Sequence, residues 1–134
     1  QSFVGLETNI KFEIVIIEDG SEKSSKSVVN SFKDKLDVAY FFKENSGPGD
    51  SRNFGMQKAI GNYFIILDSD CILPKNYLEE VKKSLKTDYV DCFGGPDAAH
   101  SSFTNLQRAI DFSMTSFITT GGIRGNKNSF DKGF

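Results

Sequence analysis

Residues 63–70 read Tyr63-Phe64-Ile65-Ile66-Leu67-Asp68-Ser69-Asp70, an apolar run that stops abruptly at two carboxylates flanking one serine. Such a run, too short for a buried helix and bounded by turn-forming residues, predicts a strand covered on both faces. Upstream, Phe12 to Glu18 repeats the pattern: a β-branched run closes in Glu18-Asp19-Gly20-Ser21. Between the two, Ser21 is a candidate cap for a helix whose apolar stripe is Val28, Val29, Phe32 and Leu36. Val38 to Phe42 then predicts a second strand. Asn45-Ser46-Gly47-Pro48-Gly49 is dense in turn formers, and Asp50 or Ser51 can cap a helix running to about Ile60, where Gly61 stops it.

Working outward on the other side, Pro74 suits a first helical turn, and Tyr77, Leu78, Val81 and Leu85 form the inward stripe of the next helix. Tyr89 to Phe93 predicts a fourth strand. A last helix spans Phe103 to about Ile118, with Leu106, Ile110, Met114 and Phe117 on one face, and the Gly-rich, basic stretch from Gly121 to Asn128 predicts a mobile tail over 121–134. Strands alternating with helices predict an α/β layer with a largely parallel sheet, because parallel neighbours need crossover connections. No internal repeat divides the chain, so a single domain over 1–134 is expected. Ligands of open α/β sheets sit beyond the carboxyl ends of the strands. Both acid clusters fall there.

Composition narrows the partners. The chain has 134 residues, 38% of them hydrophobic, with 16 basic and 18 acidic side chains and a formal charge of -2. No global positive field exists to draw in nucleic acid. No apolar run approaches the roughly 20 residues that span a bilayer, so no transmembrane segment is expected. No signal-peptide pattern opens the chain, and Cys71 and Cys92 lack the spacing of a disulfide framework. The expected setting is the reducing cytoplasm, with the cytoplasmic face of a membrane as an alternative.

Three clusters can carry chemistry. Asp68 and Asp70 repel each other unless a cation or hydrogen-bond donors compensate them, and hard Mg or Mn ions suit carboxylate oxygens while bridging to phosphate. The alternative is that both only cap the following loop. Asp19, before Gly20-Ser21, can accept hydrogen bonds from a base or ribose, or simply close an Asx turn. Asn45, Gly47, Gly49, Ser51, Arg52 and Asn53 surround a helix start, where free N–H groups and the dipole favour an anion and Arg52 adds a planar cation. A plain turn is the alternative there too. Cys71, with no second Cys or His near it, is set aside as a nucleophile or soft-metal ligand.

Ile14-Val15-Ile16-Ile17-Glu18-Asp19-Gly20-Ser21, then Ser51-Arg52-Asn53-Phe54-Gly55, then Ala59-Ile60-Gly61-Asn62 through Asp68-Ser69-Asp70 follow one another in the order of a known family. Together they resemble a family 2 glycosyltransferase of the GT-A fold. The likeness covers roughly residues 1 to 86 and loosens toward Gly95-Pro96. It implies sugar transfer from a nucleotide-diphosphate donor, UDP- or GDP-linked, to a hydroxyl of a glycan, lipid or other acceptor, with inversion at the anomeric carbon. By the same resemblance Asp19 contacts the nucleoside, Arg52 sits by the base or diphosphate and Asp68 binds the ribose side, with Glu18 and Asn45 also in the nucleotide-sugar site. Asp70, with Asp68, holds a Mn or Mg ion on the diphosphate, as the DxD pair of a bacterial glycan-building enzyme.

The sequence departs from the family at several points. Glu18 stands where many relatives have Asp, and Cys71 where many have a further acid. Relatives place a strand and helix before the segment matched by Gln1-Ser2-Phe3, so the chain is expected to lack that first strand and the C-terminal part. The general base of an inverting transferase is a carboxylate downstream of the DxD pair, expected outside this chain. Asp97, His100, Arg124 and Lys127 are the remaining local candidates, for acid-base work or a flap, with turn and loop roles as the alternative. Two other functions fit parts of the pattern: a phosphoacceptor receiver-type signalling domain, and a catalytically silent nucleotide-binding module.

Overall fold

A computed structural model describes residues 2–95 and 99–120 of the chain, which pack as two compact units, Gln1–Lys86 and Thr87–Phe134. The first unit opens with a 3-10 turn at Ser2–Gly5 and is built on strands β1 (Ile14–Asp19) and β2 (Val38–Lys43). They pair in parallel from Ile14 opposite Val38 to Asp19 opposite Lys43. Their β-branched and aromatic side chains suit a pleated surface, but they are only half-buried, and Phe42 is exposed, so among the described residues the pair is not covered on both faces as expected.

The crossover between them contains α1 (Lys26–Asn30), followed by turns to Leu36. The predicted stripe holds for Val29, 6% exposed, and for the half-buried Phe32 and Leu36, but Val28 faces out. The N-cap is Ser25 and not Ser21, for a reason that lies in Glu18.

Helix α2 (Pro48–Lys58) begins one turn earlier than its expected caps. Gly47 is the N-cap and Pro48 takes the first helical turn, where its missing N–H costs nothing. The helix ends at Lys58 with Ala59 as C-cap, short of Ile60. It lies directly on β1: a Cβ added to Gly55 would stand 3.4 Å from Ile17 Cγ1. Phe54 meets Phe41 edge-on at 6.0 Å between centroids, and Lys58 lies over both rings. Helix α3 (Tyr77–Thr87) buries Leu78 and Val81, with Tyr77 and Leu85 half-buried, as its stripe predicts. Its Glu79 accepts from Thr8 Oγ1 at 2.8 Å and holds the N-terminal segment against the helix.

The third and fourth strands of the sequence reading do not form. Phe64–Leu67 forms neither helix nor ladder among the described residues, and Phe64, Ile65 and Ile66 are 44%, 37% and 52% exposed. Tyr89–Phe93 likewise forms no ladder among the described residues, and Tyr89 is exposed. Apolar composition sets what a strand can bury, but the strand itself exists only when a neighbour supplies the hydrogen bonds.

In the second unit, α4 (Asn105–Thr115) starts at Thr104, whose side chain and backbone exchange hydrogen bonds with Gln107 in a capping box. The helix breaks at Ser116, before α5 (Phe117–Thr120). The expected inward face is not covered among the described residues: Leu106, Ile110 and Met114 are exposed. Asp97 and the tail from Gly121, with Arg124 and Lys127, lie outside the described residues.

Candidate nucleotide and metal site

Parallel register brings the carboxyl ends of β1 and β2 side by side, so Asp19 lies opposite Lys43. The sequence reading missed Lys43, although an acid ending one strand and a lysine ending its predicted neighbour is a legible signal. The Lys43 ammonium binds Asp19 Oδ1, and the same carboxylate accepts the backbone N–H groups of Ser46 on Oδ1 and Gly47 on Oδ2, each at 3.0 Å. Asn45 Nδ2 donates to the Asp19 carbonyl at 3.1 Å. Lys43 chiefly, and the Ser46 amide after it, push the Asp19 carboxyl down to about 2. Asp19, expected at the nucleoside, and Asn45, expected in the nucleotide-sugar site, here tie the end of β1 to the turn before α2.

Gly20 makes this possible. Its φ of 71° is rarely open to other residues, and a Cβ there would stand 2.8 Å from Asn45 N.

Glu18 turns the other way. It is 5% exposed, and its Oε2 accepts from Ser25 N at 2.7 Å, Ser25 Oγ at 2.6 Å and Tyr40 Oη at 2.8 Å. These donors, with the Ser25 hydroxyl foremost, lower its pKa against the opposing effect of burial. Glu18 thus fastens the start of α1, which is why Ser25 and not Ser21 is the cap. Its Oε1 is buried without a hydrogen-bond partner among the described residues.

Asp68 and Asp70 have the opposite surroundings. Asp68 is 70% exposed at the side chain and forms an ion pair with Arg52 Nη2 at 3.1 Å, reached from α2. Residues 69–70 form a turn closed by Cys71 N on the Asp68 carbonyl at 3.2 Å. Asp70 is exposed, and no described residue donates a hydrogen bond to its side chain. The described residues contain no group of three or more His, Cys, Asp or Glu able to enclose a cation. In this turn Asp68 and Asp70 are the residues that could lend carboxylate oxygens to a hard cation, the kind of ion that takes its other ligands from water and phosphate.

Neither cysteine is bonded to another: Cys71 and Cys92 are free and exposed. His100 lies in an exposed loop with its Nδ1 2.8 Å from Ser102 Oγ. No helix of the described residues is long and apolar enough to cross a membrane.

The sequence model of glycosyl transferase family 2 matches residues 2–133. The chain belongs to this family. Family 2 membership carries the GT-A fold, of which the parallel β1–β2 pair with its flanking helices is part. It also leaves no place for a receiver-type signalling domain.

Among its family 2 relatives, an uncharacterized glycosyltransferase of Rickettsia felis is 39% identical over 74 residues, 55% of this chain and 12% of that protein. One from Haemophilus influenzae is 39% identical over 70 residues, 51% of this chain and 28% of its own length. Glycosyltransferase GlyA of Streptococcus pneumoniae is 32% identical over 81 residues, 59% of this chain and 12% of that protein. The chain thus spans well under a third of the length of these relatives. No solved structure matches it.

Proposed function

We propose that this family 2 chain forms the donor-binding region of a metal-dependent glycosyltransferase. It takes a nucleotide-diphosphate sugar, UDP- or GDP-linked, and supports inverting transfer to a hydroxyl of a glycan, lipid or other acceptor at the cytoplasmic side. The observation that carries this reading is the exposed Asp68-Ser69-Asp70 turn, where Asp70 is uncommitted and Arg52 reaches in from the first half of α2.

A Mn or Mg ion would be held by Asp70 with Asp68, and when bound it neutralises charge growing on the departing diphosphate. The chain's own groups bind and orient. Arg52 is a permanently charged planar donor, and its exposed pair with Asp68 is cheap to exchange for a phosphate oxygen. Asp19, Asn45 and Lys43 hold the turn before α2, and Glu18 anchors the other end of the Asp19 loop. No residue of this chain is assigned as the general base.

The test is calorimetry of the full-length protein with uridine and guanosine diphosphates, each with and without Mn. Binding of one of them that is at least about tenfold tighter with Mn, on the order of 1.4 kcal/mol, is expected. Loss of that gain in Asp70→Ala, with the circular dichroism spectrum retained, supports the site. Unchanged affinity in Asp70→Ala removes it. Donor binding without transfer or donor hydrolysis by the full-length protein would make it a silent nucleotide-binding module.

A further inference from the structure

Lys43 is the point on which three parts of the chain converge. From the end of β2 its ammonium reaches Asp19 at the end of β1, Ser46 Oγ in the turn, Ser51 Oγ on α2 at 3.4 Å and the Glu44 carbonyl at 3.0 Å, with Asp50 Oδ2 3.9 Å away. Its side chain is only 15% exposed. Those acceptors outnumber the three N–H bonds of an ammonium, so the cation is shared among them and belongs to no single pair. Arg52 follows Ser51 directly on α2, so whatever fixes the first turn of that helix also fixes the base from which Arg52 reaches Asp68.

We infer that Lys43 is a positioning residue for donor binding: by gathering Asp19, Asp50, Ser46 and Ser51 around one ammonium, it sets the start of α2, and with it Arg52, against the end of β1. The inference rests on the donor-binding reading above and goes beyond it to a residue that touches no donor itself. Its physical content is partly geometric and partly electrostatic. Without the ammonium, Asp19 keeps only the Ser46 and Gly47 amides and Asp50 only the Ser46 hydroxyl, so two negative charges lose their cation at a helix start where an anionic diphosphate must approach. Aspartate at the first turn suits the helix dipole, but a pair of unscreened acids repels the ligand.

The test uses the full-length protein and uridine or guanosine diphosphate with Mn, whichever the wild type binds. Lys43→Met should weaken binding by about tenfold or more. Lys43→Arg should recover part of the loss, because charge returns while the planar fork cannot reach all the oxygens from one point. Asp19→Asn added to Lys43→Met should regain part of the lost affinity, because it removes one of the two carboxylates that the ammonium had compensated. A loosened fold alone does not produce that recovery. Wild-type affinity in Lys43→Met overturns the role of Lys43 and leaves the donor reading standing. If the wild type binds neither nucleotide, both fall together. Should Lys43→Met not fold, Lys43→Arg decides: a severalfold loss with the fold retained supports the inference, and unchanged affinity overturns it.

Discussion

Glu18-Asp19 and Asp68-Ser69-Asp70 each follow an apolar run, yet the fold treats them in opposite ways. The first pair is consumed by the protein. Glu18 is buried on Ser25 and Tyr40, and Asp19 is held by Lys43 and two backbone amides. The second pair stands in solvent with Arg52 as its protein partner. A carboxylate surrounded by fixed donors is architecture, because its charge is already spent on the chain. One left exposed beside an exposed cation keeps its charge for a ligand. The same residue type after the same kind of run therefore serves two purposes, and the surrounding donors separate them.

That contrast can be broken by experiment, and the largest effect should come from the buried acid. Glu18→Ala leaves the Ser25 and Tyr40 donors without their acceptor and should lower the thermal midpoint by about 10 °C. A midpoint within a degree or two of wild type would mean the hub is dispensable. Gly20→Ala comes next, since it combines an unfavourable φ with a collision against the Asn45 backbone. About 2 kcal/mol of stability should be lost in urea titrations.

A pH series sharpens the comparison. The Asp19 carboxyl sits at about 2 and those of Glu18 and Glu79 are lowered as well. Stability from these groups is complete above the ordinary carboxylate range near pH 4 and drains away as pH falls toward 2. Asp19→Asn should flatten that acid limb, read from denaturation midpoints. The smallest effect belongs to the exposed pair: Asp68→Asn should change stability by less than about 0.5 kcal/mol. A larger loss would show that the second pair is structural after all.

Much of the first unit was legible in the sequence because local pattern and final contacts agree there. The β-branched run before Glu18 is β1, and the spacing of Tyr77, Leu78, Val81 and Leu85 gives the buried face of α3. Composition could not reveal whether Phe64–Leu67 finds a partner, because ladder hydrogen bonds depend on a second segment. The caps of α1 and α2 were misplaced for a similar reason: Ser25 is recruited by Glu18 from a distant position, and Gly47 succeeds through a backbone angle. At the site, the acids and Arg52 were visible as residue types. Their division into buried and open roles was not, since it depends on Lys43, Tyr40 and Ser25, which carry no motif.

The seating of α2 on β1 has one more consequence. Gly55 brings the helix close to Ile17, where a Cβ would already stand in contact at 3.4 Å, and Arg52 lies three residues up the axis, roughly 4.5 Å of rise. That contact is a fulcrum. A methyl group added at 55 would just touch Ile17, whereas a larger side chain would lift the lever above it, so the reach of a surface guanidinium depends on a small residue in the layer below.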